Sequence, residues 1–344
     1  MLTVSLVVPI LNAARTLPAT LEALRRLRPA PLEMLLVDNG SRDESLELLA
    51  AFAAGSSGDG IRLLREPHPG AAAARNAGIR AARGEIVAFT DADCAPDAAW
   101  LDHLLAPFAD PAVGAVAGRV VGVPAGSLLE RFGALYTLRT PDAPARYTRW
   151  TPWSGGFPTA NLAVRRSLLE AVGGFDESLS RTGEDYDLCA ALYARQAAIA
   201  YTPAARVTHL HRATLRGLVR QAYGYGRVHP VLFRRHASRG LWIELPGRAV
   251  HWSGVPGRCW IDLAAPEKKL LAILAAGIGY TPLLWLAPCY GAWIAVTVHR
   301  HARRVGVPLS GRESLEAASL LLIKSTALTA GRWWGSIRHG ACCL

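Results

Sequence analysis

The 344-residue chain has no CxxC pair, and its six cysteines (Cys94, Cys189, Cys259, Cys289, Cys342, Cys343) follow no regular spacing. A chain of this length buries a core without staples, so the pattern argues against a disulfide framework and for a reducing compartment. The opening MLTVSLVVPILNAARTL lacks a basic segment ahead of its apolar residues, and Pro9 and Asn12 interrupt it after one strand length. Neither a signal peptide nor an N-terminal anchor is expected. Internal repeats, low-complexity linkers and recognised DNA- or RNA-binding motifs are also missing, so the formal charge of +11 does not point to a nucleic-acid partner. Acidic residues are scarce in one half only. Residues 201–344 hold 5 acidic against 19 basic side chains, whereas residues 1–200 hold 22 against 19. With 51% apolar side chains, the chain is neither disordered nor collagen-like.

The first hundred residues alternate apolar runs of strand length (4–10, 32–37, 61–64, 85–90) with helically spaced stretches (18–27, 43–54, 71–83, 97–108). A βαβαβαβα order predicts a mostly parallel sheet with helices on both faces, an α/β fold of Rossmann type. Ligands of such sheets bind beyond the carboxyl ends of the strands. Asn12, Asp38, Asp91 and Asp93 fall at those ends. Residues 113–202 continue with a strand-like VGAVAGRVVG, a helix over 127–136, a Pro-rich loop over 140–158, the segment TANLAVR and a helix over 184–195. The change of composition near 205–240 predicts a boundary, with a first domain over 1–212 and a second over 213–344.

Asp91 and Asp93 form a DxD at the end of an apolar strand, where a period of two aims both carboxylates to one side. Such a pair repels itself unless a cation joins it, and a hard divalent ion, Mg²⁺ or Mn²⁺, is the natural one. A solvated turn is the plainer alternative. Asp38, before the Asn39-Gly40-Ser41 turn, suits either turn chemistry or hydrogen bonds to a base or ribose. Arg75 and Asn76 stand among small residues; a guanidinium there reaches a phosphate or holds the Asp91 loop. Glu184, Asp185 and Asp187 open a helix, which suits the helix dipole or a general base. His209 and His211, at i and i+2 after a strand-like RVTH, share a face from which one could complete a metal shell.

In this order the segments VVPILN (7–12), VDNGSRDES (37–45), GAAAARNAG (70–78), FTDADCAPDAAWL (89–101), GGFDES (173–178) and GEDYDL (183–188) resemble glycosyltransferase family 2, inverting enzymes of the GT-A fold, over roughly residues 3–212. The resemblance implies a bacterial-type, membrane-associated member that uses a UDP-, GDP- or dTDP-linked sugar. It places Pro9, Asn12 and Asp38 around the nucleotide and Arg75 near the diphosphate, counts Asn76, Asp91 and Ala92 among the residues that bind the nucleotide sugar, and puts Asp93 and Asp91 on the metal with His209 or His211. Asp185 falls at the position of the base, with Glu184 the fallback, and Gly155, Gly156 and Asn161 face the donor sugar and acceptor. The QxxRW stretch of processive synthases is absent, since Gln221 is followed by AYGYGR, so single transfer is expected. A metal-dependent sugar nucleotidyltransferase is the rival enzyme, but the sequence after the first strand reads PILNAAR rather than LxGGxGxR. A non-catalytic membrane-bound scaffold of the same fold is the third reading.

Residues 270–298 form a run of 29 without Asp, Glu, Lys or Arg, flanked by Lys268-Lys269 and by Arg300, Arg303 and Arg304. Basic flanks on both sides favour a bent re-entrant hairpin with both ends on the cytoplasmic face; a buried helical hairpin is the soluble alternative. Basic amphipathic stretches around Leu215–Ala222 and 314–329, the latter followed by Trp333-Trp334, suit an anionic membrane surface. A cytosolic nucleotide sugar would there meet a lipid-linked or cell-envelope glycan acceptor.

Overall fold

The computed structural model describes residues 2–55, 60–123, 126–137, 141–152, 154–179, 182–209, 214–245 and 248–344. The chain divides into two compact units, residues 1–121 with 138–210, and residues 122–137 with 211–344. Residues 122–137, inside the first sequence-based domain, thus group with the second unit.

In the first unit the strands are β1 (Val4–Ile10), β2 (Glu33–Asp38), β3 (Ile61–Arg65), β4 (Ile86–Phe89), β5 (Cys94–Pro96), β6 (Val113–Gly122), β7 (Ala145–Tyr147), β8 (Leu162–Arg165) and β9 (Ala198–His209). Among the described residues they form one mixed sheet in the order β3-β2-β1-β4-β8-β6-β9-β5, with β7 also on β9. The β3-β2-β1-β4 half is parallel, and β8 runs antiparallel to β4. β1 is buried along nearly its whole length, as a strand covered on both faces must be. Its alternation feeds two cores: Leu6, Val8 and Ile10 join the side lined by Leu17, Leu24 and Trp100, while Val7 joins Ala72, Ala74 and Leu188. Pro9 costs no ladder bond, because β4 pairs with β1 only as far as Val7.

The helices of this unit are α1 (Leu17–Arg25), α2 (Ser45–Ala54), α3 (Ala71–Ala81), α4 (Trp100–Leu105), α6 (Arg166–Val172) and α7 (Glu184–Ala194), with α5 (Leu128–Tyr136) belonging to the second unit. α3 lies against the sheet so closely that a Cβ on Gly78 would meet Val7 Cγ1 at 2.4 Å. Its run of alanines follows from that approach, since larger side chains would lift the helix away.

The second unit adds α8 (Leu215–His236), α9 (Pro266–Gly279), α10 (Leu286–Val305) and α11 (Gly311–His339). α5 and α11 each start with a capping box, Ser127 with Glu130 and Ser310 with Glu313. α8 and α11 touch backbone to backbone: a Cβ on Gly226 would sit 2.0 Å from the Leu328 carbonyl oxygen, and one on Gly331 2.3 Å from that of Tyr223. A small sheet, β11-β10-β12-β13, joins β10 (Gly240–Leu245), β11 (Arg248–Trp252), β12 (Arg258–Asp262) and β13 (Cys342–Cys343). The apolar run breaks at Tyr280, where the backbone turns extended (φ −145°) before a 3-10 turn over Thr281–Trp285. Pro288 is accommodated in the first turn of α10, where no i−4 carbonyl is displaced. Among the described residues, one helical stretch, Thr281–Val305, is long and apolar enough to cross a membrane, and only 11% of its apolar window is buried. Most of the stretch is thus exposed, while Ile294, Val298 and Ala302 on one side of α10 are buried in the core of the second unit.

Candidate active site

The carboxyl ends of β1, β2 and β4 carry the first group of expected residues. Asn12 adopts a positive φ of 49°, accepts from the Arg42 amide at 2.8 Å, and is exposed. Asp38 is buried and accepts from the amides of Gly40 and Ser41, both at 3.2 Å, which is turn chemistry at the strand end. Asn39, not singled out from sequence, spans two loops. Its amide donates to the Glu66 and His68 carbonyls at 2.8 and 2.7 Å and accepts from Gly70, the residue before α3, at 2.7 Å. Pro9, half-buried near the end of β1, stands beside Val37 in register.

β4 ends at Phe89, so Asp91, Ala92 and Asp93 lie in a turn closed by the Cys94 amide on the Asp91 carbonyl at 3.0 Å. The strand alternation expected for the DxD does not apply. Ala92 is buried, and its carbonyl accepts from the Thr16 and Thr20 hydroxyls, each at 3.0 Å, which fastens the turn to α1. The two carboxylates go separate ways. Asp91 accepts from Arg75 Nη2 at 2.8 Å, while Asp93 Oδ1 lies 3.5 Å from His209 Nε2.

Arg75 is buried on α3 and donates through Nη1 to Glu184 Oε1 at 2.8 Å. One guanidinium thus spans the DxD turn and the first turn of α7. Burial disfavours its charge, but Asp91 and Glu184 more than restore it, so Arg75 stays protonated. Beside Glu184, Asp185 is half-buried and accepts from the Tyr186 amide at 2.9 Å. Desolvation and then the Glu184 carboxylate push Asp185 up to about 7, against the lowering pull of Arg75. A carboxylate with that affinity for protons is matched to proton transfer near neutrality. Glu184, the fallback base, is buried with one oxygen committed to Arg75, which leaves Asp185 the better placed of the two.

Asp93 is also pushed up, by desolvation first and Asp91 second, with His209 opposing. Asp93, Cys94 and His209 each offer one donor atom within 4.8 Å of the others. Oxygen and imidazole donors with a surplus of negative charge fit a divalent cation. Asp91, half its pair already held by Arg75, is the less available partner. His211 lies outside the described residues, so the choice between the two histidines is argued only for His209.

Two expected binding residues are turned inward. Asn76 is buried; its amide donates to the Phe175 carbonyl and Glu177, and its oxygen accepts from the Phe175 amide at 2.8 Å. Asn161 is fully buried, donating to the Arg119 and Ala205 carbonyls at 2.9 Å each and accepting from Trp100 Nε1 at 2.8 Å. It braces the sheet from within and cannot face a sugar. Gly155 (φ +88°) accepts through its carbonyl from the Tyr193 hydroxyl at 2.8 Å, and a Cβ on Gly156 would meet the Tyr186 ring at 2.0 Å. These glycines hold their loop against the α7 helix that carries Asp185.

Residues 5–173 match the model for glycosyl transferase family 2. The chain belongs to that family. This family 2 chain is 35% identical over 253 residues to the pre-mycofactocin glycosyltransferase of Mycobacterium tuberculosis, covering 72% of the chain and 51% of that protein. It is 30% identical over 186 residues to glycosyltransferase AglE of Haloferax volcanii, covering 53% and 58%. The chain thus spans about half the length of these curated relatives. Its fold is similar to that of mannosyltransferase PcManGT from Pyrobaculum calidifontis, solved with GDP-Man and Mn²⁺. The TM-score is 0.55 at 21% identity, over 97% of this chain and 87% of that one.

Proposed function

We propose that this protein is an inverting glycosyltransferase that moves one sugar from a nucleotide-diphosphate donor to an acceptor hydroxyl with the help of a divalent cation. The observation that carries this reading is the Arg75 bridge. It draws the strand-end Asp91 and the helix-start Glu184 onto one guanidinium, with Asp185 next in line. Family membership and the GT-A likeness of the fold support the same reaction class.

In this reading Asp93 and His209, with Asp91 alongside, would hold Mg²⁺ or Mn²⁺, whose positive charge would stabilise the departing diphosphate. Pro9, Asn12 and Asp38 border the nucleotide at the ends of β1 and β2. Asp185 takes the proton from the acceptor hydroxyl as its oxygen forms a bond to the anomeric carbon. The bond from that carbon to the diphosphate oxygen breaks with the electron pair leaving on the nucleotide, and attack from the opposite face inverts the configuration. Arg75 keeps the turn and the helix in register while staying off the reacting atoms. The absence of QxxRW favours a single transfer.

The acceptor is a lipid-linked or cell-envelope glycan, reached from the cytoplasmic face of the membrane. Thr281–Val305 and the exposed Trp285, Trp293, Trp333 and Trp334 support that location, because indole rings favour the headgroup region.

The test is a panel of UDP-, GDP- and dTDP-sugars screened for thermal stabilisation of the protein with and without Mn²⁺, followed by nucleotide release with glycan acceptors. One donor should raise the melting temperature in a Mn²⁺-dependent manner and be turned over. A protein that binds no nucleotide sugar and releases no nucleotide is a scaffold, and the reading fails.

A further inference from the structure

Cys342 is exposed on β13, where its side chain has no core to fill. β13 is an edge strand and pairs in parallel with β12, Cys259 opposite Cys342 and Trp260 opposite Cys343. The ladder includes the Leu344 amide donating to the Trp260 carbonyl and the Asp262 amide donating to that of Leu344, each at 2.7 Å. Registered partners on neighbouring strands share a face, so the Cys259 and Cys342 thiols meet, with their sulfurs 3.0 Å apart. Cys343 points to the other face and is fully buried.

Neighbouring strands stand about 4.8 Å apart, inside the roughly 4.4–6.8 Å Cα separation that a disulfide spans. A bond therefore needs the sulfurs to close by about 1 Å and no change of register. Packing does not account for the pair, because Cys342 is exposed and Cys259 only half-buried. Burial, and after it the neighbouring Cys342 thiol, pushes Cys259 up to about 12, so Cys342, open to solvent, is the sulfur that reacts first.

We propose that Cys259 and Cys342 are a redox-modification site, closing to a reversible disulfide that ties β13 to β12 when a small-molecule disulfide oxidises the protein. The Cys342 thiolate attacks one sulfur of the small disulfide, whose S–S bond breaks and whose other half leaves as a thiolate. Cys259 then gives up its proton and attacks the Cys342 sulfur; the mixed S–S bond breaks and the second half leaves. Two cysteines are oxidised, and the reagent is reduced to two thiols that carry the two protons. The bond closes a loop over residues 259–342, which contains α9, the membrane-length stretch Thr281–Val305 and α11. In a reducing compartment both cysteines stay thiols, and β13 is held by its short ladder and by the Cys343 amide donating to the Ser336 hydroxyl at 3.0 Å. Neither cysteine has a part in the sugar transfer above.

The experiment treats the folded 344-residue protein with oxidised glutathione and maps its disulfides by trypsin digestion and mass spectrometry without reduction. Cleavage after Arg258, Lys268 and Arg338 puts Cys259 in the peptide 259–268 and Cys342 in the peptide 339–344. Wild type should yield the two peptides joined, and dithiothreitol should separate them. Cys342→Ser should lower the joined species at least about tenfold, while Cys343→Ser should keep it. Folded wild type should give at least about fivefold more of this pair than a urea-unfolded control, because the fold already holds the sulfurs within reach. Separate peptides in folded wild type, an undiminished joined species in Cys342→Ser, or an equal yield in urea overturns the proposal. Should a variant not fold, fragmentation of the joined wild-type peptide between Cys342 and Cys343 decides: a bond to Cys342 supports the site, and one to Cys343 rules it out. Failure of donor binding would sink the sugar-transfer reading and leave this map unchanged.

Discussion

Arg75 Nη1 and Glu184 Oε1 stand 2.8 Å apart although 109 residues separate them in the chain. The contact closes the distance between the two ends of the motif series, and the second guanidinium nitrogen does the same for Asp91. Arg75→Met therefore leaves two carboxylates facing each other without a counter-charge. It should cost about 3–5 kcal/mol in denaturant unfolding, the size seen when one partner of a buried pair is removed. Arg75→Lys, which reaches only one partner well, should fall between wild type and Arg75→Met.

Asp185 gives a dependence on pH with a fixed sign. A base that binds its proton up to about 7 is inactive below that pH and active above it, so transfer should rise through about pH 7 and level off on the alkaline side. Asp185→Asn should lower transfer by roughly 10²–10⁴-fold while donor affinity is kept. A flat pH profile between 6 and 8 would remove Asp185 from the proton transfer.

The same shift predicts a gain in stability. Because the folded state holds the Asp185 proton more tightly than the unfolded chain, ionisation costs stability progressively from the ordinary aspartate range up to about pH 7, and the full cost remains above it. Asp185→Asn should therefore melt higher than wild type at pH 8, by on the order of 1 kcal/mol, and show little gain near pH 4. Differential scanning calorimetry at the two pH values reads the difference.

Asn161→Ala separates bracing from binding. Removing its amide strands the Trp100 indole N–H and two backbone carbonyls inside the core, a loss of about 2–4 kcal/mol. Enzyme that remains folded should keep its donor KM. A raised KM at unchanged stability would return Asn161 to the sugar side.

At the α8–α11 crossing, Gly226→Ala should cost about 1–3 kcal/mol, since its Cβ has no room beside the Leu328 carbonyl. Gly291→Ala, on α10 with open space around it, is the control and should be neutral or slightly stabilising.

Much of the first unit was legible in the chain because strand runs such as Val4–Ile10 are buried on both faces and stand out as apolar blocks. The turn chemistry of Asp38 and the helix start at Glu184 were legible for the same local reasons. Whatever depended on long-range contact was not. Nothing local says that Asn161 is enclosed by Trp100, Arg119 and Ala205, or that Asp91 belongs to Arg75 and Asp93 to His209. The DxD falls outside the strand because β4 stops two residues before Asp91, a boundary that apolar alternation does not mark. β10, β11 and β12 leave little trace in the sequence, since their arginines, tryptophans and glycines give neither a helical nor an alternating pattern. The short β13 strand, Cys342–Cys343, has meaning only beside Cys259 and Trp260.

The contact between Gly78 and Val7 reaches further than its size suggests. α3 rides on β1 with no slack at that point, and Arg75 stands one turn before Gly78 on the same helix. Val7 has no polar atom and lies inside the sheet, yet its shape fixes the height at which the guanidinium meets its two carboxylates. A library that varies only the charged residues of the site would overlook it; a trim at Val7 offers a handle on the electrostatics of the site from beneath the helix.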